Sequence, residues 1–300
     1  MGSPDFALPG LRLLARTYEV VGVVTQPDRA AGRGRGLTPP PVKALALELG
    51  LPVLQPEKLR QPEAMQALRA LEPELIVVAA FGQILKPEVL DLPCYGCLNV
   101  HASLLPRWRG AAPIHAAILH GDGRTGVTIM RMDPGLDTGP ILSQRGVEIG
   151  PAETAGELYA RLSVLGAELL MDTLPGYLEG SIQPQPQPAE GVTFAPMLKK
   201  EEGRLDFSLP AVELERRVRA FNPWPGAWLE WKDGLLKVHR ARVEAGQAAP
   251  GETLVSASLP AVGTGDGLLV LEEVQPAGRK SMDGKAFLAG ARQWADRQNV

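Results

Sequence analysis

Leu75-Ile-Val-Val-Ala-Ala-Phe81 is an unbroken apolar run with Gly82 directly behind it. A strand with one face in water alternates polar and apolar residues. A run without alternation reads as a strand covered on both faces, as in a parallel sheet between layers of helices. Tyr18-Glu-Val-Val-Gly-Val-Val-Thr25, upstream, reads the same way. Between the two runs lie helical patterns at 41–49, opened by prolines and closed by Gly50, and at about 62–71, ahead of Pro73. Strand, helix and strand in alternation predict an α/β layered domain.

Downstream, Leu98-Asn-Val-His101 does alternate, which places Asn99 and His101 together on one side of a strand. A helix is expected from Pro113 to Gly121, then a strand at 127–132, a turn-rich loop Asp133-Pro-Gly-Leu-Asp-Thr-Gly-Pro140 and a returning strand at 141–144. Thr154-Ala-Gly-Glu157 has capping-box spacing and opens a helix with the apolar stripe Leu158, Leu162, Leu165 and Leu169, expected to end near Leu174-Pro175. From Gln183 to Pro188 the chain alternates Gln and Pro, which reads as a stiff extended spacer with nothing to bury. Beyond it, a helix at 209–220 precedes short strands at 227–231, 235–243, 252–255 and 268–274, the spacing of a small β-barrel. The expected organisation is a first domain over 1–180, a Pro-rich linker over 181–203 and a C-terminal domain over 204–300.

Composition narrows the function classes. Three hundred residues, 45% of them hydrophobic, suit two globular domains and exclude disorder as the main state. A net charge of −3 excludes polyanion binding by bulk charge, so any nucleic acid has to be held by a local patch. No apolar stretch approaches the roughly 20 residues of a membrane span. The first residues carry Asp5 and no basic segment, so no signal peptide is read and a cytoplasmic location is expected. Cys94 and Cys97 form a Cys-x-x-Cys without a second ligand pair, which points to reduced thiols and no metal.

An amide, an imidazole and a carboxylate together supply a donor for a developing oxyanion, a proton carrier and an anion that orients the imidazole. Asn99, His101 and an acid from the loop Asp133 to Asp137 fit those roles, although Asn-x-His alone equally describes a satisfied strand end. Gly-x-Ser-x-Gly is absent, so no acyl-enzyme is indicated, and no Gly-x-Gly-x-x-Gly follows a strand, which counts against a nicotinamide dehydrogenase. Arg29, Arg33, Arg35 and Lys43 lie among glycines with no acid between Asp28 and Glu48. They suit either phosphate contact or a solvated loop. Arg107-Trp108-Arg109 fits an anion site or a packed Trp between solvated arginines, and Phe221-Asn-Pro-Trp-Pro-Gly226 a recognition patch or a packed corner.

Taken together, these segments resemble the folate-dependent formyltransferases, over nearly the whole chain. Leu98-Asn-Val-His-Ala-Ser-Leu-Leu-Pro-Arg-Trp-Arg-Gly-Ala-Ala-Pro113 is similar to the family hallmark, and Asp133-Pro-Gly-Leu-Asp-Thr-Gly139 to the loop carrying its catalytic aspartate. Gln26-Pro-Asp-Arg-Ala-Ala-Gly-Arg-Gly-Arg-Gly-Leu37 resembles the insertion loop of the tRNA-acting members, and Phe221–Gly226 their C-terminal domain. The resemblance implies a Rossmann-like formyltransferase domain followed by a small OB-like β-barrel. It implies transfer of a formyl group from 10-formyltetrahydrofolate to the α-amine of initiator methionyl-tRNA, without a metal, by a monomer.

It also implies roles for individual residues. Asn99, His101 and Asp137 map onto the catalytic triad. Ser103, Leu104, Leu105 and Pro106 map onto the folate-binding segment, and Phe81, Gly82, Ile84 and Leu85 onto the wall around the pterin. Arg33 and Arg35 would reach the tRNA acceptor end, with Lys200 approaching tRNA from the linker. Family members open on a strand ending in Gly-Thr/Ser-Pro-Asp/Glu-Phe, whereas here Met1 directly precedes Gly2-Ser-Pro-Asp-Phe6. Two inner sheet edges are therefore expected to lack a partner. A sister enzyme acting on glycinamide ribonucleotide or an amino sugar would share the triad without the basic loop or the barrel. A non-catalytic tRNA-binding protein would keep tRNA affinity without folate binding.

Overall fold

Each of the two unalternating runs contains a short sheet strand, of two and three residues, in the computed structural model, which describes residues 1–31, 36–232 and 234–296. Within the first unit, α1 (Leu8–Thr17) precedes β1 (Val23–Val24), α2 (Pro41–Glu48), β2 (Val53–Leu54), α3 (Pro62–Ala70) and β3 (Ile76–Val78). Proline stands in the first turn of all three helices, where its missing N–H has no intrahelical partner to lose. β4 (Cys97–His101), β5 (Arg124–Arg131) and β6 (Ile141–Glu148) complete the sheet. β3 and β4 run parallel, while β4, β5 and β6 are antiparallel neighbours.

β1 and β2 form a separate parallel pair. Between β1 and β3 only Met1 and Gly2 intervene among the described residues. Gly2 N–H donates to Val24 O at 3.1 Å, Ala79 N–H to Met1 O at 2.9 Å and the Met1 nitrogen to Val77 O at 2.6 Å. The rest of the gap is a cavity of about 660 Å³, lined largely by apolar side chains that include Val23, Leu71, Ile76, Leu170 and Leu174. The inner edges are thus met at one end only.

α4 (Ala155–Leu178) opens with the expected box, the Glu157 carboxylate accepting from Thr154 N–H at 2.9 Å and Thr154 Oγ1 from Glu157 N–H at 3.3 Å. It does not stop at Pro175. Leu170 and Leu174 are fully buried, and this packing carries the helix another turn at the cost of one backbone hydrogen bond. The Gln-Pro run is not a free spacer. Gln185 and Ile141 exchange two backbone hydrogen bonds, at 2.8 and 2.7 Å, and Phe194–Ala195 pairs in parallel with Arg109–Gly110.

The chain divides differently from the expected boundaries. One unit comprises Met1–Pro113, Arg124–Glu148 and Tyr159–Ala195, the other Ile114–Gly123, Ile149–Leu158 and Pro196–Val300. In the second unit α5 (Ala211–Ala220) precedes β7 (Ala227–Trp231), β8 (Gly234–Glu244), β9 (Thr253–Ser256), β10 (Leu259–Gly263) and β11 (Leu268–Pro276). They form an antiparallel sheet in the order β7-β8-β11-β10-β9, and Met282–Asp283 also pairs with β11. β10 escapes sequence reading because Pro260 argues against a strand. Its ladder with β11 starts only at Ala261, so the missing N–H leaves that pairing intact. Leu214, Val218, Leu236, Leu271 and Trp294 anchor this unit's core.

Candidate active site

β4 is the element on which the site is built. Leu98 is completely buried, and Asn99 and His101 project from the same side of the strand at its carboxyl end. The neighbouring hairpin of β5 and β6 supplies the third group. Met132 N–H donates to Cys97 O at 2.8 Å and Arg131 N–H to Pro140 O at 2.9 Å, which pins the base of the hairpin loop. Inside the loop, Asp133 Oδ1 accepts from Gly135 N–H at 3.1 Å and from the Thr138 hydroxyl at 2.6 Å. Asp133 is therefore the carboxylate that shapes the loop, and Asp137 the one that faces β4.

Asp137 adopts a left-handed backbone, φ +51°, uncommon for a residue with a side chain. Its Oδ2 accepts from Gly110 N–H at 2.8 Å and lies 3.7 Å from His101 Nδ1; its Oδ1 is 3.4 Å from Asn99 Nδ2. His101 Nε2 is 2.9 Å from Trp108 O. A carbonyl only accepts, so Nε2 carries the proton and Nδ1 is left to gain or lose one. The His101 and Asp137 side chains are only 6% and 15% exposed, so both lie largely out of solvent.

Three further residues of this constellation were not picked out from sequence. Gly110 gives Asp137 its backbone N–H. At φ +118°, with a Cβ position 2.6 Å from Ala195 O, it has no room for a side chain. The second is Thr193, whose hydroxyl accepts from Trp108 N–H at 2.9 Å. Gln187 is the third, with Nε2 donating to Asp137 O at 2.7 Å. Gly110 could have been sought within the Trp-Arg-Gly-Ala-Ala-Pro stretch; Gln187 and Thr193 carry no sequence signal. A cavity of about 540 Å³, lined by Arg109, Thr138, Gln187 and Val192, opens beside the loop.

The other candidate residues separate into those near this centre and those elsewhere. Ser103, Leu104, Leu105 and Pro106 form the turn that leaves β4. The Ser103 hydroxyl donates to Arg107 O at 2.6 Å and Leu105 N–H to Thr128 Oγ1 at 3.1 Å, so this turn is fixed by its own polar groups. Phe81 and Leu85 point into the core around Val24, Leu59 and Val78, while Gly82 and Ile84 face outward, Ile84 at 88% exposure. The stretch thus offers Gly82 and Ile84, not Phe81 and Leu85, as a surface. Trp108 is buried with the Arg107 guanidinium 4.3 Å over its ring, and Arg109 donates to Gln187 Oε1, so the tryptophan is packed while its arginines are engaged by protein groups and not simply solvated. Phe221 is buried and Trp224 half-exposed, so the 221–226 corner is packed at one end and open at the other.

Arg33 and Arg35 lie outside the described residues. Lys43 is no phosphate ligand as it stands, because its ammonium grips Asp28 at 2.7 and 2.9 Å. Hydrogen bonds from Gln55 and then from Lys43 hold the Asp28 carboxyl below the usual range. Lys200 is exposed at the start of the short helix Lys200–Gly203 in the second unit. Cys94 is exposed and Cys97 buried, and burial pushes the Cys97 thiol up to about 12. No helix among the described residues is long and apolar enough to cross a membrane.

An amide donor, an imidazole and a carboxylate thus converge at one strand end, an arrangement that suits an enzyme moving an acyl group between bound partners. The comparisons specify the group. Residues 10–174 match the formyl transferase family and residues 197–292 the formyl transferase C-terminal domain, so the chain belongs to the formyltransferase family. It is 53% identical to the methionyl-tRNA formyltransferase of Myxococcus xanthus (strain DK1622), over 97% of this chain and 93% of that one. It is 52% identical to the protein of the same name from Bacillus pumilus (strain SAFR-032), with the same two coverages.

Solved structures share the fold at lower identity. WlaRD, a sugar 3N-formyl transferase studied with dTDP and 5-N-formyl-THF, aligns at TM-score 0.68 and 17% identity, over 93% of this chain and 97% of its own. HypX from Aquifex aeolicus aligns at TM-score 0.60 and 21% identity over 81% of this chain, which spans 45% of HypX. The methionyl-tRNA formyltransferase of Clostridium thermocellum aligns at TM-score 0.53 and 18% identity, over 81% and 92% of the two chains.

Proposed function

We propose that this protein formylates initiator methionyl-tRNA, taking the formyl group from 10-formyltetrahydrofolate, with Asn99, His101 and Asp137 as the catalytic residues. The reading rests on the convergence of those three side chains, within 3.4 to 3.7 Å of one another through Asp137. The naming of relatives more than half identical over almost the whole chain supports the acceptor.

The neutral α-amine attacks the formyl carbon, a bond forms between nitrogen and carbon, and the carbonyl oxygen becomes an oxyanion. Asn99 spends one amide N–H on Asp137 and has the other to donate to that oxygen. His101 Nδ1 accepts the proton released by the attacking nitrogen and returns it to N10 of the folate as the carbon–N10 bond breaks. Asp137 faces the transient imidazolium and balances its charge. The turn at Ser103–Pro106 together with Gly82 and Ile84 forms the folate side. Arg33, Arg35 and Lys200 contact tRNA phosphates, and the protein works as a monomer in the cytoplasm.

The test is formyl transfer by the purified protein to methionyl-tRNA, to glycinamide ribonucleotide and to an amino-sugar nucleotide. Transfer to methionyl-tRNA is expected, and transfer to a small amine alone would overturn the reading. Arg33→Ala and Arg35→Ala should raise the KM for tRNA and flatten its dependence on salt, since each removes a phosphate contact. An unchanged salt slope would take that loop out of recognition.

A further inference from the structure

Resting on the formyl-transfer reading above, we infer that Gln187, in the Gln-Pro run, is a positioning residue that holds the Asp137 carboxylate against His101. A carboxamide offers two N–H donors and two acceptor lone pairs. All four are engaged here. Nε2 donates to Asp137 O at 2.7 Å and to Gly139 O at 2.8 Å, while Oε1 accepts from Arg109 Nε at 3.1 Å and Nη2 at 2.7 Å.

These bonds close a ring. Arg109 holds Gln187, Gln187 holds the Asp137 backbone, and the Asp137 carboxylate accepts the N–H of Gly110, the residue after Arg109. Asp137 is thereby fixed at its carbonyl and at its carboxylate in a left-handed backbone conformation, φ +51°. The two hydrogen bonds between Gln185 and Ile141 set the height of the Gln-Pro run two residues earlier, so Gln187 arrives on a pre-placed stem.

The chemistry is specific to a carboxamide. Glutamate would keep the Arg109 contact but set a carboxylate against two carbonyl oxygens, and methionine keeps the length while losing both sets of bonds. A spacer glutamine with no role in the site would tolerate either change.

The experiment measures kcat and KM for both substrates in Gln187→Met and Gln187→Glu, with melting temperature as the folding control. A kcat about tenfold to a hundredfold lower, with both KM values within about twofold of the parent, is expected for each variant. In an Asp137→Asn background, Gln187→Met should change the single-turnover rate by less than about twofold, because the group it positions has already gone. A full, additive loss in that background, or a change confined to KM, would overturn the inference. Amide exchange at Gly110, read by NMR, reports on the ring without any turnover. It should quicken in Gln187→Met, and unchanged exchange would also overturn the inference. A parent that formylates no methionyl-tRNA would refute the functional reading instead and leave the exchange result to decide the ring.

Discussion

Replacing Asn99 by alanine separates the chemistry of the site from its architecture. The side chain is half-buried, and its one hydrogen bond among the described residues reaches Asp137 Oδ1 at 3.4 Å, near the limit of useful length. Losing it should lower stability by about 1 kcal/mol or less. Losing an oxyanion donor raises a barrier by roughly 2.7–4 kcal/mol, or about two to three orders of magnitude in rate. Asn99→Ala should therefore fold normally, bind folate nearly as the parent does, and transfer formyl 100- to 1,000-fold more slowly. Single-turnover kinetics with saturating methionyl-tRNA give the rate and thermal denaturation gives the stability. A rate within threefold of the parent would refute the donor role, and a collapse of stability would show that the amide is a structural tie instead.

Gly110→Ala should abolish activity and lower the unfolding free energy by about 2 kcal/mol or more, since the residue would be strained at its φ of +118° and would meet Ala195 O; urea denaturation checks this. Asp28 titrates below its ordinary value of 3.8, so its stabilisation is complete above about pH 4 and drains away as the pH falls through its folded value. An NMR titration of its carboxyl carbon should show the low midpoint, and Gln55→Leu should raise it. Trp294 is fully buried, stacks edge-on against Phe287 with centroids 5.5 Å apart and donates Nε1–H to Leu254 O at 2.9 Å. Trp294→Ala should cost about 3–5 kcal/mol in the same denaturation assay, and a loss under about 1 kcal/mol would show that its segment is no part of the core.

The layers were legible because burial writes a period into the sequence. Leu75–Phe81 and Tyr18–Thr25 lack alternation and contribute β3 and β1, and Leu98–His101 alternates and carries Asn99 and His101 on one side. The choice of Asp137 over Asp133 was legible only through resemblance, because both lie in one loop and only hydrogen bonding distinguishes them. What stayed hidden depends on partners distant in sequence. Pro175 sits inside a helix because Leu170 and Leu174 are buried around it, and Phe81 is core because Val24 and Val78 surround it. Gln187 was taken for spacer because its three partners, joined to it by four hydrogen bonds, lie 48 to 78 residues away.

The chain just beyond β1 is tied to the chain just beyond β3 where the two strands end. At their carboxyl ends Ser3 Oγ accepts from Gln26 N–H at 3.1 Å, Gln26 Nε2 reaches Phe81 O at 3.1 Å, and the Gln83 side chain ties Leu59 N–H at 3.0 Å. These side-chain ties brace the margin of the first unit on which Asn99 and His101 stand, so the loops flanking the site are held by amide and hydroxyl groups of the chain itself.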